Sequence, residues 1–161
     1  MATRGLIGFI KDGVLTASYN HYDSYESGLG KSLNTFFNTP EKAEEIANMG
    51  DIRYVNDENG EVEMFKNPKY AVKLNLSKLD PDDGAVEVAM LVDSFGADYA
   101  YIFNRDKWEV VKNRGISSMI DPIKDILYSD FENEDDRMNQ SDIELEEYFV
   151  RQMKQRAGII K

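Results

Sequence analysis

Residues 5–20, Gly-Leu-Ile-Gly-Phe-Ile-Lys-Asp-Gly-Val-Leu-Thr-Ala-Ser-Tyr-Asn, decide the fold. Residues 5–11 form an apolar run of strand length. Asp12-Gly13 is a strong two-residue hairpin signal, because both positions tolerate the positive φ of a tight turn, and residues 14–20 supply the return strand. Two more hairpins are expected. Residues 51–55 and 61–65 flank Asn56-Asp57-Glu58-Asn59-Gly60, and residues 99–103 and 108–111 flank Asn104-Arg105-Asp106-Lys107. Residues 70–76 alternate and read as a further strand or as irregular chain.

Helices are expected between these hairpins. Residues 30–37 bring Leu33, Phe36 and Phe37 to one side together with Leu29. Residues 40–49 start with Thr39 as cap and Pro40 in the first turn. Residues 85–95 repeat Val88, Leu91, Val92 and Phe95 at helical spacing after the turn Asp80-Pro81-Asp82-Asp83-Gly84. Residues 118–128 follow Ser117 as cap. Ser141-Asp142-Ile143-Glu144 has the form of a capping box and opens a last helix carrying Ile143, Leu145, Tyr148, Phe149 and Met153. Hairpins grouped with helices, without a βαβ phosphate-binding motif, predict an α+β fold. We expect a mainly antiparallel sheet built from β-hairpins, packed with helices and closed by a C-terminal helix. At 161 residues one domain, 1–161, is expected, with 130–140 as a mobile acidic loop.

Composition sets the chemical bounds. There is no cysteine, so disulfides, thiolate nucleophiles and Cys-ligated zinc are excluded. No run of apolar residues is long enough to span a membrane, and the first residues lack the form of a signal peptide, so a cytoplasmic location is expected. The net charge of −11 is uneven. Residues 121–147 carry 2 basic and 11 acidic side chains, whereas 148–161 carry 4 basic and none acidic. Such a chain is a poor direct ligand for nucleic acid, whose affinity comes from Lys and Arg. It suits a partner protein with a basic surface, and Glu132, Glu134, Asp135 and Asp136 are the candidate contacts. Solubility alone also accounts for the acid.

Behind the first hairpin runs Tyr19-Asn20-His21-Tyr22-Asp23-Ser24-Tyr25-Glu26-Ser27-Gly28-Leu29-Gly30, which holds the only histidine. If catalysis occurs, His21 and Asp23 are the candidates: an imidazole beside a carboxylate can act as general base with its tautomer fixed. A continued strand would put His21, Asp23 and Tyr25 on one face. Ser24 and Ser27 sit in no nucleophile-elbow motif, however. Thr3 would need an exposed amine to act as an amino-terminal nucleophile, and removal of Met1 exposes Ala2. Asp80–Gly84 lacks the spacing of a calcium loop and reads as a helix cap. No metal and no cofactor are expected. The candidate binding residues of the opening are Arg4, Tyr19, His21, Asp23, Tyr25, Gly28 and Gly30.

Thr3, Arg4, Tyr19, His21, Asp23, Tyr25, Gly28 and Gly30 follow the pattern Thr-Arg, strand, Tyr-x-His/Gln-x-Asp-x-Tyr-x-x-Gly-x-Gly. In this the chain resembles a family of small uncharacterised phage and prophage proteins. Glu26 stands where proline is common in that pattern. Tyr99–Phe103 followed by Trp108–Val110 also fits. The resemblance covers the first thirty residues well and the rest loosely. It implies a viral origin inside a bacterial host and brings no catalytic residues. It favours a non-enzymatic protein that binds and inhibits a host or anti-phage defence component. The alternative is a small enzyme or nucleotide-sequestering protein using the His21, Asp23 and Tyr25 loop.

Overall fold

The computed structural model describes residues 2–128, and the expected loop at 130–140, the last helix and the acidic residues Glu132, Glu134, Asp135 and Asp136 lie outside them. Strands β1 (Gly5–Lys11) and β2 (Val14–Asn20) pair in the expected antiparallel register, Gly5 opposite Asn20 and Lys11 opposite Val14. Asp12 and Gly13 have φ of 54° and 76°, as the tight turn requires. After β2 come one wide helical turn (Glu26–Gly30), α1 (Lys31–Phe36) and α2 (Pro40–Ala47). β3 (Asp51–Val55), β4 (Val62–Met64) and β5 (Val72–Asn75) follow, then α3 (Pro81–Ser94), the β6 (Tyr99–Asn104) and β7 (Lys107–Lys112) hairpin, and α4 (Ile116–Leu127).

The sheet is mixed, which corrects the mainly antiparallel expectation. Its order is β4-β3-β2-β1-β6-β7, with β5 also on β2. The four pairs β1/β2, β2/β5, β3/β4 and β6/β7 are antiparallel, but β1/β6 and β2/β3 are parallel. The physical reason is the route between hairpins. A parallel neighbour needs a crossover, and α1 with α2 carries the chain from β2 to β3. Likewise α3 lies between β5 and β6. Hairpin signals report local pairing only, and the first hairpin becomes the sheet's centre because helical crossovers add a strand along each of its outer edges.

That central position explains why β1 and β6 read as nearly continuous apolar runs: they are covered on both faces. Leu6, Ala100 and Ile102 face α3 and α4, packing on Val88, Val92, Met119 and Ile123. Ile7, Phe9, Tyr101 and Phe103 face the other way, onto Leu33, Phe37, Ala43 and Ile46. Ser18 ties α2 to the sheet, donating to the Ala47 carbonyl at 2.8 Å and accepting from the Gly50 amide at 2.8 Å. Thr39 and Asp80 cap α2 and α3 through their side chains. The expected Ser117 cap of α4 does not form. The helix opens at Ile116 behind Gly115, whose φ of 107° turns the chain, and no side chain caps it. Among the described residues no helix is long and apolar enough to cross a membrane.

Burial pushes the pKa of Tyr101 and Tyr128 well above the ordinary phenol range. An unfolded tyrosine ionises near about pH 10, so above that pH the unfolded chain sheds protons that the native state keeps, and stability falls as pH rises. Each tyrosine contributes at most about 1.4 kcal/mol per pH unit. Urea midpoints measured at pH 9, 10 and 11 should therefore drop most above pH 10. The Tyr101→Phe protein should show a visibly shallower drop than the wild type.

Candidate functional site

Residues 19–30 leave the sheet between the ends of β1 and β3, and their conformation starts from Asn20. Its side-chain amide is buried and donates to the Tyr22 carbonyl and to Ser24 Oγ, both at 2.8 Å. Ser24 is also fully buried. Its amide donates to the Thr3 carbonyl at 3.0 Å, and its own carbonyl accepts from the Tyr101 hydroxyl at 2.7 Å. Ser24 lies so close to β1 that a Cβ on Gly5 would stand 2.7 Å from its Oγ. These bonds pin the loop at both its near neighbours and the central strand, and each buried polar group that they satisfy would otherwise carry a desolvation cost.

The bend at Asp23 (φ 57°) breaks strand alternation, so His21 and Asp23 are not governed by a shared strand face. The chain recloses with the Leu29 amide on the Asp23 carbonyl at 2.9 Å. Gly28 passes there, and a Cβ on it would lie 2.4 Å from that carbonyl oxygen. Gly30 packs on the Tyr101 ring, at 3.3 Å from the same kind of added atom. The paired glycines thus serve close packing of the turn. Glu26 is held by an ion pair with Lys112 on β7 at 3.4 Å.

His21 sits in an aromatic surround. Its ring meets Tyr22 at 4.5 Å, Phe65 at 5.5 Å and Tyr19 at 5.8 Å between centroids. Nδ1 is 2.6 Å from the Tyr19 hydroxyl. Burial holds the Tyr19 phenol's pKa above its ordinary value, the nearby Arg4 guanidinium opposes the rise, and Asp51 and Asp98 reinforce it. The hydroxyl donates to Nδ1 or accepts from it, according to which ring nitrogen carries the proton. Among the described residues no carboxylate hydrogen-bonds or ion-pairs with His21.

Arg4 is fixed beside this pair. Its amide donates to Asp98 Oδ2 at 3.0 Å, and its carbonyl accepts from the Asp98 amide at 2.8 Å. The guanidinium lies against Gly96 just past the end of α3, where helix carbonyls favour a cation. The predicted site residues therefore separate into two groups. Arg4, Tyr19 and His21 come together. Asp23 instead interacts with the exposed Tyr25, raising its pKa, with Tyr54 and Asp57 close enough to add to the effect. Thr3 contributes a backbone carbonyl to the loop, with Ala2 still ahead of it.

Sequence reading missed Asn20, Ser24 and Tyr101 as the residues that shape the loop, and Phe65, Phe95 and Arg53 as its surround. Phe95 meets the Tyr19 ring edge-on at 6.1 Å, and Arg53 lies 5.9 Å over the exposed Tyr22 ring. Only Asn20 left a local signal, a polar side chain in a strand whose neighbours are otherwise buried. Comparisons of the chain with protein-family profiles, with curated proteins and with solved structures returned no match.

Gly28→Ala should destabilise the protein by about 1–3 kcal/mol, as overpacking against backbone does. Gly30→Ala should cost less, because a ring can shift where a carbonyl of the turn cannot. Equal urea midpoints for the two variants would contradict this packing.

Proposed function

We propose that this is a phage-encoded protein that binds and disables a host or anti-phage defence component without chemistry of its own, using the loop 19–30 as a preformed recognition surface. The carrying observation is the pair of exposed rings, Tyr22 and Tyr25, on a loop whose backbone is held by the buried Asn20 and Ser24 side chains. His21 Nδ1 is engaged by the Tyr19 hydroxyl at 2.6 Å, so the His21–Asp23 pairing that general-base chemistry would use is not formed. The phage-like pattern of the opening supports the origin and the class.

The loop has the properties of a binding surface. Tyr22 and Tyr25 are 40 % and 39 % exposed. They flank a segment whose backbone is held by Asn20 and Ser24, so little ordering entropy remains to be lost on association. Tyrosine in such a position combines contact area with few rotamers. Asp23, Glu26 and Asp57 add carboxylates around Tyr25, which suits a partner with a basic surface. Glu132, Glu134, Asp135 and Asp136 add acidic side chains for the same basic partner.

One observation favours a second reading, a small-ligand or nucleotide-sequestering site: Arg4, Tyr19 and His21 converge through one hydroxyl. A sequestered ligand would raise the melting temperature in a nucleotide screen, because it binds only the folded state.

In host-lysate pull-downs at low salt, wild type should retain a partner that the Tyr22→Ala/Tyr25→Ala protein loses, with affinity reduced at least about tenfold if either ring is a hot spot. Neutralising Glu132, Glu134, Asp135 and Asp136 should weaken the same partner. Equal recovery by all three proteins would rule out the loop as the contact, and a nucleotide-induced melting shift without any partner would favour sequestration.

A further inference from the structure

The charge of this protein is acidic overall, yet residues 64–79 contain Lys66, Lys69, Lys73 and Lys78 and no acidic side chain. All four lysines are exposed. Among the described residues none of them forms an ion pair, whereas Lys11, Arg53, Lys107, Lys112 and Lys124 each do. In their midst Tyr70 is 97 % exposed, more than any other large hydrophobic side chain described, and Val72 beside it is 38 % exposed.

The backbone presenting Tyr70 is held in place. This segment crosses the point where the outer edge of β2 passes from β5 (Val14–Ala17) to β3 (Tyr19–Asn20). Gly50 fills that notch with φ of 98°, and a Cβ there would overlap the Lys69 carbonyl oxygen at 1.9 Å. The Lys69 amide donates to Asp51 Oδ2 at 3.1 Å, and from Val72 onward β5 is zipped to β2. A ring that packs on nothing is thus carried on pinned backbone among uncompensated cations.

We propose that residues 66–78 form a binding surface for single-stranded nucleic acid, with a base stacked on Tyr70 and backbone phosphates met by the neighbouring lysines. The two parts of the surface match the two parts of such a ligand: lysines displace counterions from phosphates, and an exposed aromatic ring accepts the face of any base. A duplex hides its base faces within the stack, so Tyr70 selects the single strand. The net charge of −11 does not forbid this contact. At about 0.1 M salt, charges more than about 10 Å away are largely screened, and the local lysines decide. The surface uses none of the residues of the loop 19–30, so the proposal stands or falls apart from the function proposed above.

The test is fluorescence anisotropy with a labelled twenty-nucleotide dT strand, and with a labelled duplex of the same length, titrated with full-length protein from 20 to 200 mM salt. The single strand should bind more tightly than the duplex. Four lysines set a limit on the salt dependence, a log–log slope no steeper than about −3. Tyr70→Ala should weaken binding roughly five- to a hundredfold, the range for losing one stacked base, while Tyr70→Phe should retain it. Lys66→Glu/Lys69→Glu/Lys73→Glu should abolish it, with circular dichroism confirming that each variant is folded. Absence of binding at 20 mM salt would overturn the proposal. So would equal affinity of Tyr70→Ala and wild type, or full displacement by polyglutamate at matched charge, which would assign the surface to an acidic polypeptide instead.

Discussion

The loop depends on one buried junction, the Asn20 amide bridging the Tyr22 carbonyl and Ser24 Oγ while Tyr101 holds the Ser24 carbonyl. It joins the end of β2 to β1 and β6, so the sheet's centre dictates where the chain turns. Gly5 is bare because Ser24 occupies the space of its side chain, and Gly28 is bare because the Asp23 carbonyl does the same. Tyr22 and Tyr25 reach solvent because Ser24 between them is drawn inward. The surface residues of the loop are therefore positioned by buried ones, and the rigidity invoked for recognition has a specific cause.

Electrostatics divides this surface in a way that net charge conceals. Asp23 and Asp57 sit with Tyr25, whereas the Arg4 guanidinium lies against Gly96 at the end of α3. The lysines of 66–78 form no ion pair among the described residues. A chain of this composition can present an acidic aromatic face and a basic aromatic face at once, each with its own class of partner.

Much of this was legible in the sequence. Asp12-Gly13 and the alternating or apolar runs around each turn located all three hairpins, and Thr39 with Pro40 located α2. What sequence did not carry was the pairing between hairpins, since nothing in β1 names β6 as its parallel neighbour. At the loop, residue types identified His21 and Asp23, but one positive φ at Asp23 separated their fates. The partner of His21 was two residues back, in Tyr19, where a phenol is easily read as core. The lysine segment was visible in the sequence but was averaged away by counting charge over the whole chain.

We propose that the Tyr19 hydroxyl donates to His21 Nδ1, leaving Nε2 as a hydrogen-bond donor of the recognition loop with no acid–base role. Nitrogen-15 NMR of the imidazole tests it most directly, because the chain has a single histidine and the spectrum a single ring. The neutral ring should carry its proton on Nε2 with Nδ1 hydrogen-bonded and unprotonated, and Tyr19→Phe should release the ring to a mixture of tautomers. A protonated Nδ1 in the wild type, or a spectrum unchanged by Tyr19→Phe, would contradict it.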